Sequence, residues 1–469
     1  MRSFRLLNLR QSAKFVYFTG GSASPVAVAV MRAPAFANGN EPTGVHLALT
    51  GRPNELRVTW SSWNSSLLSA PRCRWGLDAG ATQGVALAST RTYSSADLCA
   101  NPDGSNSTAT GKGFLAPGQL HSAVLGPLPP STRVWYSCGS DAAGWSDLFA
   151  FTSPPRPGAR VALVAVADMG QADPDGSNYV AGNPTSAPYS QRSYFSMQPS
   201  LATSAALAAE VASGRTLVLH NGDLSYGMGY GALWEQYADQ TQAAAASAPW
   251  MTAVGNHEHN WAGNPWSGRF NSSVAADSGG ECGVPYVKRY PMPPPADMSP
   301  SSPWYSFDYG IIHFTTMSTE HPFAPGTPQY AFLQADLAAA AAARDAATVS
   351  GDGRSADAPR WLVFNGHRPF FIDSPYNTGV SSDTPVAIEM ARVLEPLWTQ
   401  YGVDLTLTGH HHRRVLAQCS ATLVRALTHS FAAATSAAWR LRTACSKARA
   451  RTARRLGRGT LCWATVARG

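Results

Sequence analysis

Apolar and polar positions alternate twice near the start of the chain, over Lys14 to Phe18 and Pro25 to Val30, with Gly20-Gly21-Ser22 between them. Such alternation across a glycine turn predicts paired strands, read here as the remnant of an N-terminal β-unit over residues 1–36. The next segment, residues 37–157, is patterned as all-β. Short runs at Val45 to Leu49, Leu56 to Trp60, Arg74 to Gly76, His121 to Leu125, Val134 to Cys138 and Leu148 to Thr152 are separated by turn residues, as in a small sandwich. Pro154-Pro155-Arg156-Pro157-Gly158 cannot continue a sheet and closes this unit.

Beyond it the texture changes to α/β over residues 158–415. Arg160 to Ala167, Thr216 to His220, Trp250 to Val254, Arg360 to Phe364 and Val403 to Leu407 are continuous apolar runs, the mark of parallel strands buried on both faces. Helix-like segments lie between them at Leu201 to Ser213, Tyr330 to Ala346 and Pro385 to Tyr401, and Val349 to Pro359 reads as a surface loop. Ligands of such sheets sit beyond the carboxyl ends of the strands.

Composition narrows the class. With 469 residues and 44% apolar content the chain can bury two sizeable cores. No stretch approaches the ~18 to 20 apolar residues of a membrane span. The net charge of +7 is not spread evenly: the tail from Arg413 on carries 12 basic and no acidic residues, which leaves 24 basic against 29 acidic before it. Residues 416–469 are thus an atypical basic Ala/Arg-rich tail, and a like-charged run is more often a solvated segment than a nucleic-acid site. No nucleic-acid partner is expected, and self-association into a homo-oligomer is left open.

Seven cysteines, none in a C-x-x-C pair, make neither a zinc knuckle nor a dense disulfide scaffold. Sequons at Asn64, Asn106 and Asn271 permit glycosylation, and with the body cysteines they lean toward an oxidising secretory compartment. No signal-peptide apolar core precedes a cleavage site, and an incomplete N-terminus is the expectation.

The chemistry gathers where the five buried runs end. In order they deliver Asp168, Asp223 with Tyr226, Asn256, His367, and the pair His410 and His412. An aspartate after a strand is most often a turn or cap residue, and a lone histidine there is usually structural. Five such endings in register instead point to hydrolysis at a two-metal centre. Asp223 can bridge two cations, and Tyr226 can ligate as phenolate only beside a strong Lewis acid, which favours a hard trivalent ion. His410 and His412 can face the same side of an extended segment. His257, next to a ligand without being one, is placed to donate a proton.

These residues resemble the purple acid phosphatases, within the calcineurin-like metallophosphoesterases, from about residue 7 to about residue 415. Besides the five endings, the resemblance is carried by Phe18-Thr19-Gly20-Gly21, His220 to Tyr226, Asp277-Ser278-Gly279-Gly280-Glu281-Cys282-Gly283-Val284-Pro285, Trp304 to Gly310 and Ser318-Thr319-Glu320-His321. Gly170 together with Tyr226 favours the purple branch over other metallophosphoesterases.

The resemblance implies a fibronectin type III-like sandwich over 37–157, followed by an α/β metallophosphoesterase domain, a β-sandwich flanked by helices and built of βαβαβ units. It implies Fe(III) on Asp168, Tyr226 and His412, a divalent ion (Zn, Mn or Fe(II)) on Asn256, His367 and His410, and Asp223 bridging. The implied activity is acid hydrolysis of small phosphate monoesters by metal-bound hydroxide, with His257 protonating the leaving group, in a secreted or vacuolar setting. Two alternatives stay open: a nucleotide pyrophosphatase/phosphodiesterase using the same centre, and an inactive cell-surface binding homologue.

Two departures stand out. Many family members carry a further histidine where this chain has Tyr376 and Asn377, so these two, with Glu320 and His321, are the substrate-side candidates. After His412 the family's closing strands give way to the basic tail, which predicts a sheet left without them.

Overall fold

The computed structural model describes residues 5–21, 24–63, 70–80, 83–177, 196–261, 263, 277–293, 299–349, 358–372, 384–411 and 460–465, with the backbone alone for 347–349 and 460–465. His412, Tyr376, Asn377, Asn64 and Asn271 lie outside them, as does most of the expected loop before Pro359.

The first two strands, β1 (Lys14–Thr19) and β2 (Val26–Arg32), pair antiparallel as the alternation requires. The all-β unit follows with β3 (Thr43–Leu49), β4 (Leu56–Ser62), β5 (Arg72–Gly76), β6 (Gly84–Arg91), β7 (Gln119–Leu125), β8 (Arg133–Ser140), β9 (Gly144–Trp145) and β10 (Phe149–Thr152). They form an antiparallel path in the order β10-β8-β5-β6-β7-β4-β3, with β9 on β8, closed over a core of Leu47, Val58, Trp60, Val134, Tyr136 and Phe151. Cys73 and Cys138, opposite each other on β5 and β8, are joined as a disulfide.

β6 was not foreseen, for a physical reason. Its large apolar residues Val85 and Leu87 face solvent, 58% and 71% exposed, while the small Ala86 and Ala88 pack on the core, so the inward face carries no hydrophobic signal.

The α/β unit consists of β11 (Ala162–Ala167), α1 (Pro199–Ala212), β12 (Val218–Asn221), α2 (Gly231–Ala245), β13 (Trp250–Ala253), α3 (Asn256–His259), α4 (Val284–Arg289), β14 (Tyr305–Tyr309), β15 (Ile312–Thr316), α5 (Pro328–Val349), β16 (Trp361–Asn365), α6 (Thr384–Tyr401) and β17 (Leu405–Leu407). The five buried runs are strands, but they divide between two sheets. One is ordered β13-β12-β11-β18, where β18 is Thr460–Thr465, and the other β14-β15-β16-β17.

The two sheets share one apolar cluster, from Val164, Val218 and Trp250 on the first to Phe307, Phe314 and Val363 on the second. Each such large side chain removed from water contributes about 1.5–3 kcal/mol. Helix α6 buries Val386, Met390, Leu394 and Leu397 against the outer face of the second sheet.

Also absent from the sequence reading are α2, whose N-cap Tyr230 makes no side-chain cap bond, the short helices α3 and α4, and the β14–β15 hairpin, of which only β14 falls within a quoted motif. The expectation that the first sheet lacks closing strands is corrected at one edge, where β18 from the basic tail pairs antiparallel with β11.

The two domains are fastened together. Cys99 and Cys282 form a second disulfide, and beside it the Cys99 and Ala109 N–H groups donate to the Gly280 and Gly279 carbonyls at 2.9 Å. On the far side Val45 N–H donates to Gln242 Oε1 and Tyr136 Oη to the Ala246 carbonyl.

Candidate metal centre

Every described metal-ligand candidate leaves the carboxyl end of a strand: Asp168 after β11, Asp223 and Tyr226 after β12, Asn256 after β13, His367 after β16 and His410 after β17. Four of them, Asp168, Asp223, Tyr226 and His410, hold left-handed backbone conformations with φ of 56°, 50°, 51° and 69°. Non-glycine residues adopt that region rarely and at a cost, and such strain clusters where geometry serves function. Here the reversed turns send side chains from separate strands into one cleft.

The donors form an unbroken chain of contacts. Tyr226 Oη donates to Asp168 Oδ1 at 3.2 Å, and the His410 N–H to Asp168 Oδ2 at 2.6 Å. His410 Nδ1 lies 3.2 Å from His367 Nε2, which is also 3.0 Å from Asn256 Oδ1 and 3.2 Å from Asp223 Oδ2. One ligand atom from each of Asp223, His367 and His410 falls within 4.8 Å of the others.

All but His410 are buried. Two carboxylates and several imidazoles drawn this close in a dry cleft form an arrangement that a cation would relieve, so the residues fit a metal site. Oxygen and phenol donors gather around Asp168 and Tyr226, imidazole and amide donors around His367, a division that suits a hard and a borderline ion.

Glycines make the approach possible. A Cβ at Gly222, where φ is +82°, would stand 2.5 Å from His367 Nδ1. One at Gly255 would collide with Asp223.

Electrostatics tie the cluster together. Burial alone would raise the Asp223 carboxyl, but the facing His367 charge overcomes it and holds Asp223 well below the usual carboxylate range. Burial likewise disfavours charge on His367, yet Asp223 lifts it to about 10.

Several residues that the sequence reading gave no role hold the candidate ligands in place. Glu258 accepts N–H bonds from Asp223, Leu224 and Gly255 at 2.8–2.9 Å, pinning two ligand loops to each other. Asp277 accepts from Asn256 Nδ2 at 2.7 Å, which turns the amide oxygen toward His367. The Asn221 carbonyl accepts from His367 Nδ1 at 2.9 Å and so leaves Nε2 for the cleft. All three lie in or beside the quoted motifs, and that adjacency was the available signal.

The other candidates are placed as follows. His257 sits between Asp223, 4.0 Å from its Nε2, and the Asp277 carbonyl, 3.1 Å from its Nδ1, with the Tyr226 ring 4.3 Å away between centroids. Glu320 is gripped by Arg368. His321 bonds Ser318 Oγ and the Pro300 carbonyl and packs on His259, and burial holds it at about 3. Asn106 is exposed.

Comparison with known proteins agrees with this architecture. The profile of the purple acid phosphatase N-terminal domain matches residues 42–153, and that of the calcineurin-like phosphoesterases residues 197–414. The chain belongs to the purple acid phosphatase family.

It is 33% identical over 417 residues to "Probable inactive purple acid phosphatase 1" of Arabidopsis thaliana, covering 87% of this chain and 60% of that protein. It is 32% identical over 285 residues to a nucleotide pyrophosphatase/phosphodiesterase of Hordeum vulgare, covering 59% of this chain and 67% of that one. The purple acid phosphatase isolated from yellow lupin (Lupinus luteus) seeds superposes with a TM-score of 0.70 at 31% identity, over 87% of this chain and 65% of that one. The chain thus spans about 60% of the length of the Arabidopsis relative. Among the described residues no helix is long and apolar enough to cross a membrane.

Proposed function

We propose that this chain hydrolyses small phosphate monoesters at a two-cation centre, with Asp168, Tyr226 and His412 around Fe(III), Asn256, His367 and His410 around a divalent ion, and Asp223 shared. The observation that carries the reading is the convergence of six described donors from five strand ends on one buried cleft. When bound, such a pair of cations supplies Lewis acidity toward phosphate oxygens and a strong nucleophile from water below neutral pH.

The chain's own groups do the rest. The Asp277 carbonyl can only accept a hydrogen bond, so the His257 Nδ1 it faces must donate. In protonated His257 the second proton therefore sits on Nε2, on the side of Asp223, where a departing alkoxide can take it. An acidic optimum is the expectation, because a water-derived nucleophile held by such a pair of cations stays available below neutral pH. Glu258 and Asp277 hold Asp223, Asn256 and the two loops rigid, so little reorganisation accompanies substrate binding.

A nucleotide pyrophosphatase/phosphodiesterase is the second reading, favoured by the likeness to the barley relative and by Tyr376-Asn377 where many family members carry a histidine. The word "inactive" in the name of the Arabidopsis relative raises a third, a binding homologue; the complete ligand set in this sequence speaks for catalysis. Two disulfides and the exposed sequon at Asn106 support a secreted or vacuolar setting.

The test is hydrolysis by metal-loaded protein of p-nitrophenyl phosphate, bis-p-nitrophenyl phosphate and ATP, with metal content measured in parallel. Preference for the monoester at acid pH supports the first reading. Preference for the diester or ATP selects the second, and a loaded protein that turns over none selects the third.

A further inference from the structure

Beside the metal cluster lies a buried ion pair that the mechanism does not use. Glu320, from the loop after β15, and Arg368, immediately after His367, are each 2% exposed in their side chains. Arg368 Nε donates to Glu320 Oε1 at 2.8 Å and Nη2 to Oε2 at 3.1 Å, a two-pronged clasp. Thr319 reinforces it, for its Oγ1 accepts the Arg368 backbone N–H at 3.1 Å and donates to Glu320 Oε1 at 2.9 Å.

The clasp occupies one edge of the guanidinium and aims the remaining nitrogen. Nη1 points to His410, 3.4 Å from its Nε2. His410 turns its other nitrogen, Nδ1, toward His367 and the metal cluster.

A buried ion pair is a weak source of stability, since the cost of drying both charges offsets most of their attraction. One placed at the rim of a metal cleft calls for another explanation. We infer that Arg368, aimed by Glu320, contacts the phosphate group of the substrate and of the product.

A cation held by His410 would change what Arg368 Nη1 meets at that imidazole. A neutral imidazole that gives its Nδ1 lone pair to a cation carries its single proton on Nε2. Nε2 is then a donor facing the donor Nη1, and their contact cannot persist as a hydrogen bond. A phosphate oxygen in the cleft would be a better acceptor for Nη1 than that imidazole, and guanidinium and phosphate suit each other in charge and in planar hydrogen-bond geometry. Glu320, a positioning residue, keeps the guanidinium from swinging away.

This inference rests on the proposed hydrolytic centre, and its test separates the two. Inorganic phosphate is titrated calorimetrically into metal-loaded wild-type protein and into Arg368→Ala, Arg368→Lys and Glu320→Gln, with metal content measured on each sample. The wild type should bind phosphate, and Arg368→Ala should bind it about tenfold or more weakly with metal content unchanged. Arg368→Lys, which keeps charge without the fork, and Glu320→Gln, which loosens the aim, should fall between. KM for the ester should rise in parallel with the phosphate dissociation constant, while kcat changes less.

Because a lone substitution leaves a buried charge, the double variant Glu320→Leu/Arg368→Met removes the pair together. It should fold and hold metal but bind phosphate as weakly as Arg368→Ala. Equal phosphate affinity in loaded wild type and in either Arg368→Ala or the double variant overturns the inference alone. A wild type that takes up no metal and binds no phosphate overturns the hydrolytic reading, and this inference with it.

Discussion

His367 Nε2 lies 3.2 Å from Asp223 Oδ2, although 144 positions separate the two residues in the sequence. Across this contact the histidine balances the buried carboxylate as a cation. It is lifted to about 10 by the carboxylate against the pull of burial, so it carries a proton throughout the neutral range. A metal ion held by this nitrogen would displace that proton. The sign is therefore fixed: uptake of the divalent ion should strengthen with rising pH, by about tenfold per unit from this group alone, until pH approaches 10. Zinc affinities measured between pH 6 and 8.5, with proton release followed in unbuffered solution, check this; a flat profile would contradict the coupling.

Gly222 marks how closely the strand ends must approach. An added methyl would meet the His367 ring in a backbone already at φ +82°. Gly222→Ala should cost about 1–3 kcal/mol of stability and most of the metal affinity. Thermal unfolding with metal analysis measures both, and a normally loaded, equally stable variant would argue against the close-approach account.

Much of this arrangement could be read from sequence because each described candidate ligand follows a buried run and has a glycine next to it or, for Asp168, two positions on. Asp168, Asp223, Asn256, His367 and His410 were visible for that reason, as were the strands they follow. What could not be read depends on distant partners. Arg368 in Gly-His-Arg-Pro looks like a surface residue until Glu320, 48 positions earlier, is seen to clasp it. Asp277 gains meaning only through Asn256. The partition of the five strands between two sheets was likewise invisible, since a continuous apolar run records burial on both faces but not which neighbour covers them.

The Cys99–Cys282 disulfide joins the two domains across 183 positions. Closing so long a loop removes chain entropy from the unfolded state, so the Cys99→Ser/Cys282→Ser pair should lose about 3–5 kcal/mol and unfold in less cooperative steps. Calorimetry of wild type and variant decides it; coincident single transitions at one temperature would refute the fastening role.

His313 provides a pH test remote from the cleft. Burial opposes its charge, yet bonds to Asp308 at 2.7 Å and Asp336 at 3.1 Å raise it to about 9. A group raised on folding stabilises fully below its unfolded value of about 6.5 and loses that contribution as pH climbs through the folded value. Stability should thus fall by about 1–3 kcal/mol between pH 6.5 and 9.5, discounted for the exposed Asp308. In His313→Gln this part of the slope should vanish, as denaturant titrations at the two pH values would show.

The phenol of Tyr226, 3.2 Å from Asp168, is the group that most sharply distinguishes this centre from a generic metal site. The direct measurement is the visible absorption spectrum of the purified protein after iron addition, compared with Tyr226→Phe. A phenolate-to-iron charge-transfer band in the wild type, missing from the variant, is the predicted result. A well-folded wild-type protein that binds iron with no such band, or takes up none, would contradict the account.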